Sequence, residues 1–453
     1  MKRKGLAVIA GLAAGALALT ACAGANTGEK TGGSKGSDGA HEITVLMVAN
    51  PQMKDIESLT QKHFTDKTGI KVKFTILPEN ELRDKVAQDV ATQAGQYDVV
   101  TIGAYEGSVW TANNWLTNLQ SLAEADSGFD VADILPAMKG VLSKDGDFYS
   151  MPFYGESGFM MYRKDVFAQQ GLTMPDQPTW TDIERLARQL DGKVAGVRPV
   201  CLRGLPGFGE NMAVIGSMIN AFGGTIFDAD WRAQMNSDAT AKAVKFYVDL
   251  LSKYGEAGAP EAGFTECLNN FTQGKSAMWF DATSAANSVE SPDHSTVAGK
   301  VGYVAAPKEL APSGWVWAWA WAVPKTTKNI DDAWKFISWA SGKEYEKTAG
   351  KEIGWTRVPD GKRASTFEIP EYQEATKAYS QQMKDAFAAS NPADCGVQAR
   401  PAAGCQYLSI KEFADLGTKI GQEVSSAVAG RETAAQAVEN SQKLAEAVAA
   451  TKR

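Results

Sequence analysis

Apolar and polar positions follow two different periods along residues 42–102, and these periods predict alternating strands and helices. Runs of apolar residues, or strict alternation of apolar and polar residues, are typical of strands, whereas apolar residues every three or four positions are typical of helices. Gly69 supplies a stop signal for the first helix. The pattern predicts strands over 43–48, 70–76 and 97–102, and helices over 53–64 and 78–95. Strands alternating with helices of these lengths predict a parallel sheet with crossover helices, and therefore an α/β fold.

A second region with the same alternation follows Pro152. Its first helix is expected near Thr181, where Thr-Asp-Ile-Glu has the spacing of a capping box. The pattern predicts further helices beginning near Asn211 and Ala239, helices over 266–273 and 331–340, a closing helix from Glu432, a strand over 276–280 and a tryptophan-rich strand after it. The chain is long enough for two domains, and two α/β regions are expected.

The N-terminal residues carry the signal of export rather than of a fold. Lys2, Arg3 and Lys4 precede an apolar stretch over 6–19. This stretch is too short to span a bilayer, and a positive start followed by a short apolar run is the pattern of a signal peptide. We therefore expect residues 1–21 to be a signal peptide.

The signal ends in Leu19-Thr-Ala-Cys22, which resembles the lipobox of bacterial lipoproteins. The resemblance implies that Cys22 is acylated and becomes the mature N-terminus; the alternative is a plain secretory signal with an incidental cysteine. Residues 22–41 are rich in Gly, Ser and Thr and predict a flexible linker with a reach of about 25 Å. A folded body would then be held outside the cytoplasm, anchored to the cell membrane.

Composition narrows the class of protein. Of the 453 residues 44% are hydrophobic and 22% are charged, which is typical of soluble globular proteins. The net charge is −7 and no basic cluster is present, which disfavours nucleic acids and anionic lipids as partners. No segment after the signal has 18 uncharged apolar residues in a row, so no further membrane span is expected.

Four cysteines remain beyond Cys22, and an even number in an exported chain suggests disulfides. They are Cys201, Cys267, Cys395 and Cys405, which allow three pairings. The last two enclose a short loop of Gly, Pro and Ala residues, which favours that pair and leaves the first two for each other; the alternative is four reduced, buried thiols. None of the four has metal-ligand spacing and the chain has only three histidines, so no metal and no cofactor is expected.

Four segments along the chain share one family resemblance. They are 64–72 (FTDKTGIKV), 95–100 (GQYDVV), 149–167 (YSMPFYGESGFMMYRKDVF) and 271–278 (FTQGKSAM). In this order, behind a lipobox, they resemble the extracellular solute-binding proteins that serve carbohydrate ABC importers. Three further stretches, at 201–212, 315–324 and 357–365, resemble the branch of that family that binds polyols such as mannitol and sorbitol.

The resemblance implies a two-lobed α/β fold, like that of periplasmic binding proteins, in which the lobes close by a hinge on a ligand in the cleft. The implied lobes are residues 42–152 with 283–325, and residues 153–282 with 326–453. The implied function is a monomeric receptor that captures a polyol or small sugar and delivers it to ABC permease subunits in the membrane.

A cleft for sugars or polyols needs flat aromatic surfaces for C–H groups and convergent, often charged, groups for hydroxyls. Tryptophans at 315, 317, 319 and 321 have the period of a strand and share one face. Of these, Trp317 and Trp319 are the candidates for ligand contact, and core packing is the alternative. Ligands of parallel α/β sheets lie beyond the carboxyl ends of strands, which selects Asn50, Tyr105 and Glu106.

The other candidates lie in the two implied crossings between lobes or in anchored turns. Tyr154 and Glu156 belong to the first crossing, Asp281 marks the return crossing, Arg203 follows Cys201 in a glycine-rich turn with Glu210 as a possible partner, and Arg357 and Arg363 flank a Pro-Asp-Gly turn. The alternatives are a structural ion pair between Arg203 and Glu210, and solvated surface charges for the others.

Enzyme motifs are incomplete in this chain. Gln273-Gly-Lys-Ser has Asn269 where a phosphate-binding loop needs glycine, and Gly155-Glu-Ser-Gly lacks the spacing of a hydrolase elbow. The main alternative is a secreted glycoside hydrolase, because Glu156, Glu210 and Asp281 could supply two catalytic carboxylates. A third class, an adhesin or scaffold, would bind no small ligand. The sequence favours a binding protein without catalytic residues.

Overall fold

The computed structural model describes residues 41–393 and 395–452; the predicted signal peptide, Cys22 and the linker up to residue 40 lie outside the described residues. The strands are β1 Glu42–Val48, β2 Lys71–Leu77, β3 Val99–Gly103, β4 Ser143–Lys144, β5 Asp147–Phe148, β6 Ser150–Arg163, β7 Arg198–Cys201, β8 Ser276–Ala282, β9 Val301–Ala305 and β10 Val316–Ala322. None of the described helices is both long enough and apolar enough to cross a membrane.

The helices lie between and after these strands. They are α1 Pro51–Thr60, α2 Asp66–Thr68, α3 Glu79–Thr92, α4 Ala104–Ala112, α5 Gln120–Ala125, α6 Pro136–Leu142, α7 Lys164–Gln169, α8 Trp180–Leu190, α9 Asn211–Ala221, α10 Asp238–Tyr254, α11 Phe264–Thr272, α12 Ala286–Val289, α13 Ile330–Ala340, α14 Lys343–Ile353, α15 Pro370–Thr376, α16 Ser380–Ala389, α17 Phe413–Val428 and α18 Ala434–Ala449. A π-helical turn, Gln61–Thr65, joins α1 to α2. Strands and helices alternate from β1 to α4, whereas α13 to α18 follow β10 as successive helices.

Seven strands lie in the order β2-β1-β3-β10-β6-β8-β7, and β9 also pairs with β6. β1 runs parallel to β2 and β3, whereas β10 runs antiparallel between β3 and β6. Helices α1 and α3 pack on β1 and β2, so residues of β1 such as Val45, Leu46 and Met47 are fully buried whichever face they take.

The long strand β6 belongs to two sheets. Its residues Ser150–Ser157 pair with β10, and its residues from Gly158 onward pair with β8 and β9. We call β1, β2, β3, β10 and the first part of β6 the first-lobe sheet, and β7, β8, β9 and the last part of β6 the second-lobe sheet. The hydrogen-bonding partner on β6 therefore changes between Ser157 and Gly158.

Two later segments also contact these sheets. β9 pairs with the second-lobe part of β6. Phe336 of helix α13 packs 5.5 Å from the Trp321 ring of the first-lobe sheet. The predicted division of the chain into lobes stays a prediction.

Helix α8 begins two residues before the predicted start. Thr179 rather than Thr181 is the N-cap: its Oγ1 accepts a hydrogen bond from the Asp182 backbone N–H at 2.9 Å, and Asp182 Oδ2 accepts one from the Thr179 N–H at 3.1 Å. Thr179 and Thr181 each precede an acidic residue by three positions, so both fit a capping box. Because the fully buried Trp180 is part of the helix, the cap is the earlier threonine, Thr179.

Two disulfides join Cys201 to Cys267 and Cys395 to Cys405. The first ties the end of β7 to α11, and the second closes the loop that follows α16. This is the pairing that the loop composition favours.

Candidate functional site

A small cavity lies between the two sheets. Two sets of residues line it. The first set comes from the first-lobe side and the β6 crossing: Glu79, Arg83, Glu156, Trp315, Trp317 and Trp319. The second set comes from two segments on the opposite side: Arg203, Phe208, Gly209, Gln406 and Tyr407.

Tryptophans of β10 and of the residue before it form the aromatic wall of this cavity. Trp315, Trp317 and Trp319 all line it, with Trp317 and Trp319 ring centroids 6.2 Å apart. Trp321 lies instead in the core, 5.3 Å from the Phe153 ring. Trp321, the last tryptophan of the series, is therefore a core residue. The two candidates for ligand contact, Trp317 and Trp319, both line the cavity.

Arg83 stacks against this wall. Its guanidinium carbon lies 4.9 Å from the Trp319 ring centroid and 5.3 Å from that of Trp317. It pairs with Glu79 at 3.3 Å and with Glu106, whose other carboxylate oxygen accepts the Gly103 N–H at 2.9 Å. Glu106 therefore orients Arg83 and does not itself line the cavity.

Arg203 is held in the same way from the second lobe. Its Nε and Nη2 donate to the two carboxylate oxygens of Asp281 at 3.0 and 2.6 Å, and its Nη1 donates to the Gly209 carbonyl at 2.8 Å. Asp281 also accepts the Trp279 indole N–H at 3.1 Å and the Ala282 N–H at 2.7 Å. The fully buried Asp281 is therefore saturated by protein donors, and it positions Arg203.

Two buried carboxyl groups have fewer partners. Glu156 accepts a hydrogen bond from Ser284 Oγ at 2.5 Å, and burial raises the pKa of Glu156 to about 7 despite this bond. Glu210 accepts the Phe264 N–H at 3.0 Å and lies 3.7 Å from Arg203 Nη1. Burial, reinforced by the charge of Glu79, raises the pKa of Glu210 to about 8. Desolvation dominates at both groups.

Asn50 and Tyr154 form a buried pair next to the cavity. The Asn50 side-chain amide donates to the Tyr154 hydroxyl at 2.8 Å. Burial raises the pKa of the Tyr154 phenol well above its usual value, and the Glu156 charge raises it further. Tyr154 therefore interacts electrostatically with Glu156, but neither Asn50 nor Tyr154 is part of the cavity lining.

Three candidates are placed elsewhere by the structure. Tyr105 donates to the Ile410 carbonyl at 3.1 Å and so holds the loop before α17. Arg357 forms a bidentate pair with Asp55 at 2.9 and 2.8 Å. Arg363 is fully buried and donates to the Ser341 and Asp130 carbonyls. All three side chains therefore stabilise the packing of the fold. An arginine beside a turn can contact a buried acceptor instead of facing the cleft.

Sequence reasoning missed several residues of the lining. Glu79 and Arg83 lie in the first two turns of α3, directly after β2, so the strand-end rule that selected Asn50 would have selected Glu79 as well. Gln406 and Tyr407 follow Cys405 in a loop, and no local pattern distinguishes them.

One group of possible metal ligands occurs among the described residues: Cys201, Cys267 and Glu256. Both cysteines are joined in a disulfide, so their thiolates are not available for a metal.

Comparison with known proteins assigns the family. Residues 50–347 match the family model described as bacterial extracellular solute-binding protein. A mannitol-binding protein of Pseudomonas aeruginosa is 37% identical over 404 residues, which cover 89% of this chain and 92% of that protein. The crystal structure of an ABC transporter solute-binding protein from Agrobacterium vitis S4 with bound D-mannitol superposes with a TM-score of 0.88, at 41% identity, over 91% of this chain and 99% of that one.

A ribitol complex of a solute-binding protein from Agrobacterium radiobacter K84 has the same fold, with a TM-score of 0.79 over 90% of this chain and 98% of that one, at 23% identity. These matches confirm the predicted two-lobed fold and the predicted family. The chain belongs to the bacterial extracellular solute-binding proteins.

Proposed function

We propose that this protein captures a neutral, acyclic polyol of about hexitol size in the cavity between its lobes and delivers it to the permease of an ABC importer. The observation that carries the proposal is the lining of the cavity, in which three tryptophans face buried charged groups. Relatives support the ligand class, since one is named for mannitol binding and a close structural neighbour holds D-mannitol.

The lining suits the chemistry of a polyol. Indole faces pack against C–H groups, and carboxylates accept hydrogen bonds from hydroxyls. The Trp315 indole N–H is buried and has no hydrogen-bond partner within the described part of the chain. A buried donor without a partner is costly, so a ligand hydroxyl that accepts this N–H would stabilise the closed protein.

A ligand panel tests the proposal. The compact unit 40–453 would be titrated with hexitols, pentitols, monosaccharides, disaccharides, amino acids and dipeptides, with thermal unfolding as the first readout and calorimetry as the second. A polyol present at 100 times its dissociation constant should stabilise the fold by about 2.7 kcal/mol. Stabilisation by amino acids or peptides but by no polyol or sugar would contradict the proposal.

We also propose that the bound ligand leaves unchanged. A glycoside hydrolase needs two carboxyl groups that are free to act on the glycosidic bond. Asp281 has both oxygens occupied by Arg203, and Glu210 is held by the Phe264 N–H. Prolonged incubation with oligosaccharides and chromatography of the products is the measurement, and any turnover would favour the hydrolase alternative.

The proposal includes a monomeric receptor anchored to the outer face of the cell membrane through acylated Cys22. Its support is the lipobox-like end of the signal and the extracellular family to which the chain belongs. Labelling cells with an alkyne fatty acid should mark the wild-type chain and not Cys22→Ala, and the variant should move to the soluble exported fraction. Equal labelling of both chains would contradict the anchor.

A further inference from the structure

Tyr105 belongs to the first lobe, but its side chain packs among residues of the second. Its helix α4 contacts β3 and β10 of the first-lobe sheet, whereas α17 packs on α9 and α10, and α10 packs on β7 of the second-lobe sheet. The Tyr105 ring centroid lies 4.9 Å from that of Phe208, 5.8 Å from that of Tyr407 and 6.1 Å from that of Phe413, the first residue of α17. The ring therefore joins an aromatic cluster that the second lobe supplies.

The Tyr105 hydroxyl adds hydrogen bonds across the same junction. It donates to the Ile410 carbonyl at 3.1 Å and accepts the Ala414 N–H at 3.1 Å. The first N–H groups of a helix have no acceptor within the helix, and Glu412, the N-cap residue of α17, pairs with Lys452 instead of capping it. A side chain of the first lobe thus caps a helix of the second, and this contact must break when the lobes separate.

Two neighbours of Tyr105 line the cavity, although Tyr105 itself does not. The Arg83 guanidinium carbon lies 4.5 Å from the Phe208 ring centroid, and the Tyr407 ring centroid lies 5.5 Å from that of Trp317. Tyr105 therefore packs behind the two rings that the second lobe places against the aromatic wall. Because such clusters are close-packed, the position of Tyr105 determines theirs.

Asn80 makes a second contact between the lobes. Its side-chain amide, in the first turn of α3, donates to the Pro206 carbonyl at 3.1 Å. A Cβ at Gly207 would lie 2.7 Å from Asn80 Oδ1, so glycine permits this close approach. We call the contacts of Tyr105 and Asn80 across the lobes the interlobe latch. Both residues lie outside the cavity lining, so the latch stabilises closure to the same extent whichever ligand is enclosed.

We propose that Tyr105 is a positioning residue: together with Asn80 it latches the closed lobes, and it sets the affinity for every ligand of the cavity without selecting among them. The inference rests on the proposed function for its ligands, but the latch itself needs none. When only a fraction of the free protein is closed, the apparent dissociation constant is the intrinsic one divided by that fraction. Loss of the latch therefore raises all the dissociation constants by one factor.

The variant Tyr105→Phe tests the latch, because it keeps the ring and removes only the hydroxyl. Calorimetry should give dissociation constants about tenfold higher than in the wild type for D-mannitol, D-sorbitol and ribitol, with their ratios unchanged. Asn80→Ala should act in the same direction. Tyr303→Phe is the matched control: it removes a buried hydroxyl that donates to Glu290 outside the latch, and it should leave all three constants unchanged.

A measurement without ligand tests the latch independently. Spin labels at Lys73→Cys on β2 of the first lobe and Glu439→Cys on α18, which packs on α10 and α17, occupy exposed positions. Double electron–electron resonance between them gives the closed fraction of the free protein. This fraction should fall from the wild type to Tyr105→Phe by the same factor as the affinity, whereas a residue that only stabilised the fold would leave it unchanged. Circular dichroism checks that each variant folds.

The outcomes separate the latch from the proposed function. An equal loss of affinity for the three polyols, with a matching fall in the closed fraction, supports the latch. Loss for one polyol only, with an unchanged closed fraction, would make Tyr105 a ligand contact and overturn it. Unchanged affinity overturns the latch and leaves the polyol receptor intact. If the wild type binds no polyol, the proposed function fails, and the closed fraction of the free protein decides the latch.

Discussion

Arg203 and Arg357 are two buried arginines with the same local geometry and different positions. Each makes a bidentate contact with one aspartate, Asp281 and Asp55 respectively. Only Arg203 lines the cavity. The residue type and its pairing therefore do not distinguish a binding residue from a packing residue; its location in the fold does.

This contrast gives a matched pair of variants. Arg203→Met should lower the free energy of unfolding by about 3 to 5 kcal/mol, because Asp281 would be left buried and unpaired. Arg357→Met should also destabilise, by less, because Asp55 is partly exposed. Urea unfolding gives the stability, and calorimetry should find the polyol affinity at least tenfold weaker in the first variant and unchanged in the second.

Equal loss of affinity in both arginine variants would mean that Arg203 acts only through general stability. That outcome would remove it from the ligand-binding residues.

The buried carboxyl groups make stability depend on pH. Folding raises the pKa of Glu156 from 4.5 to about 7 and that of Glu210 from 4.5 to about 8. At pH values between the unfolded-state pKa and the folded-state pKa of each group, the folded state binds more protons than the unfolded state. The free energy of unfolding should therefore fall as the pH rises from about 5 to about 8. Chemical unfolding at three pH values in this window measures the slope.

Glu156→Gln and Glu210→Gln should each flatten that slope, because glutamine carries no titrating proton. Part of the slope should remain, since burial also raises the pKa of Glu256 to about 8 and that of Asp360 to about 6. Stability that rises between pH 5 and 8 would contradict the raised pKa values.

At the scale of elements, the junction of β3 and α4 places the aromatic wall. Gly103 ends β3, and a Cβ there would lie 1.9 Å from Trp317 Cζ2. Gly107, one turn later in α4, has no neighbour closer than 3.7 Å to its Cβ position. The first glycine leaves room for an indole, and the second has no such role.

Gly103→Ala should therefore displace the Trp317 ring and weaken polyol binding at least tenfold, whereas Gly107→Ala should leave affinity unchanged and slightly stabilise the helix. Calorimetry and tryptophan fluorescence report the two effects. Unchanged affinity in Gly103→Ala would exclude Trp317 as a ligand contact.

Both disulfides lie within two residues of the cavity lining. Cys201 precedes Arg203, and Cys405 precedes Gln406 and Tyr407. Loop-closure entropy predicts that the free energy of unfolding falls by about 4 kcal/mol in the double variant Cys201→Ser with Cys267→Ser. The fall should be about 3 kcal/mol when Cys395 and Cys405, which close the shorter loop, are both replaced by serine. We expect both double variants to bind polyols more weakly, by calorimetry, because each releases a segment that carries lining residues.

Full affinity in a folded variant without either disulfide would show that packing alone positions those segments. Comparing the two double variants also separates an effect on stability from an effect on the position of the lining residues. The Cys395–Cys405 disulfide closes the shorter loop, so its loss should destabilise less, yet it lies directly beside two lining residues.

The sequence predicted the elements of the first lobe to within a few residues, because their periods are regular. It left α14 to α17 without a prediction, although α17 buries Phe413, Leu416, Ile420 and Val424 at helical spacing. Four of the candidate residues, Glu156, Arg203, Trp317 and Trp319, line the cavity. The lining loop at Gln406 could not be predicted, because its position depends on a disulfide and on packing between distant segments.

At the scale of the whole molecule, β6 couples the two lobes through one continuous strand. Its partner changes at Ser157–Gly158, next to Glu156, so this point is where closure should bend the molecule. Small-angle scattering should show a smaller radius of gyration when a polyol is added. An unchanged radius, together with measured binding, would indicate a cavity that is closed before the ligand arrives.

The strand β9 pairs with the second-lobe part of β6, and the helix α13 packs on the first-lobe sheet. The chain therefore returns to each sheet more than once, and only the three-dimensional pairing reveals such an exchange.

The positions of the two disulfides would also link ligand binding to the redox state of the surroundings. Cysteines stay reduced in the cytoplasm and form disulfides in oxidising compartments. Since we expect a chain whose Arg203 and Tyr407 segments are not yet fastened to bind weakly, oxidation after export would complete the binding site.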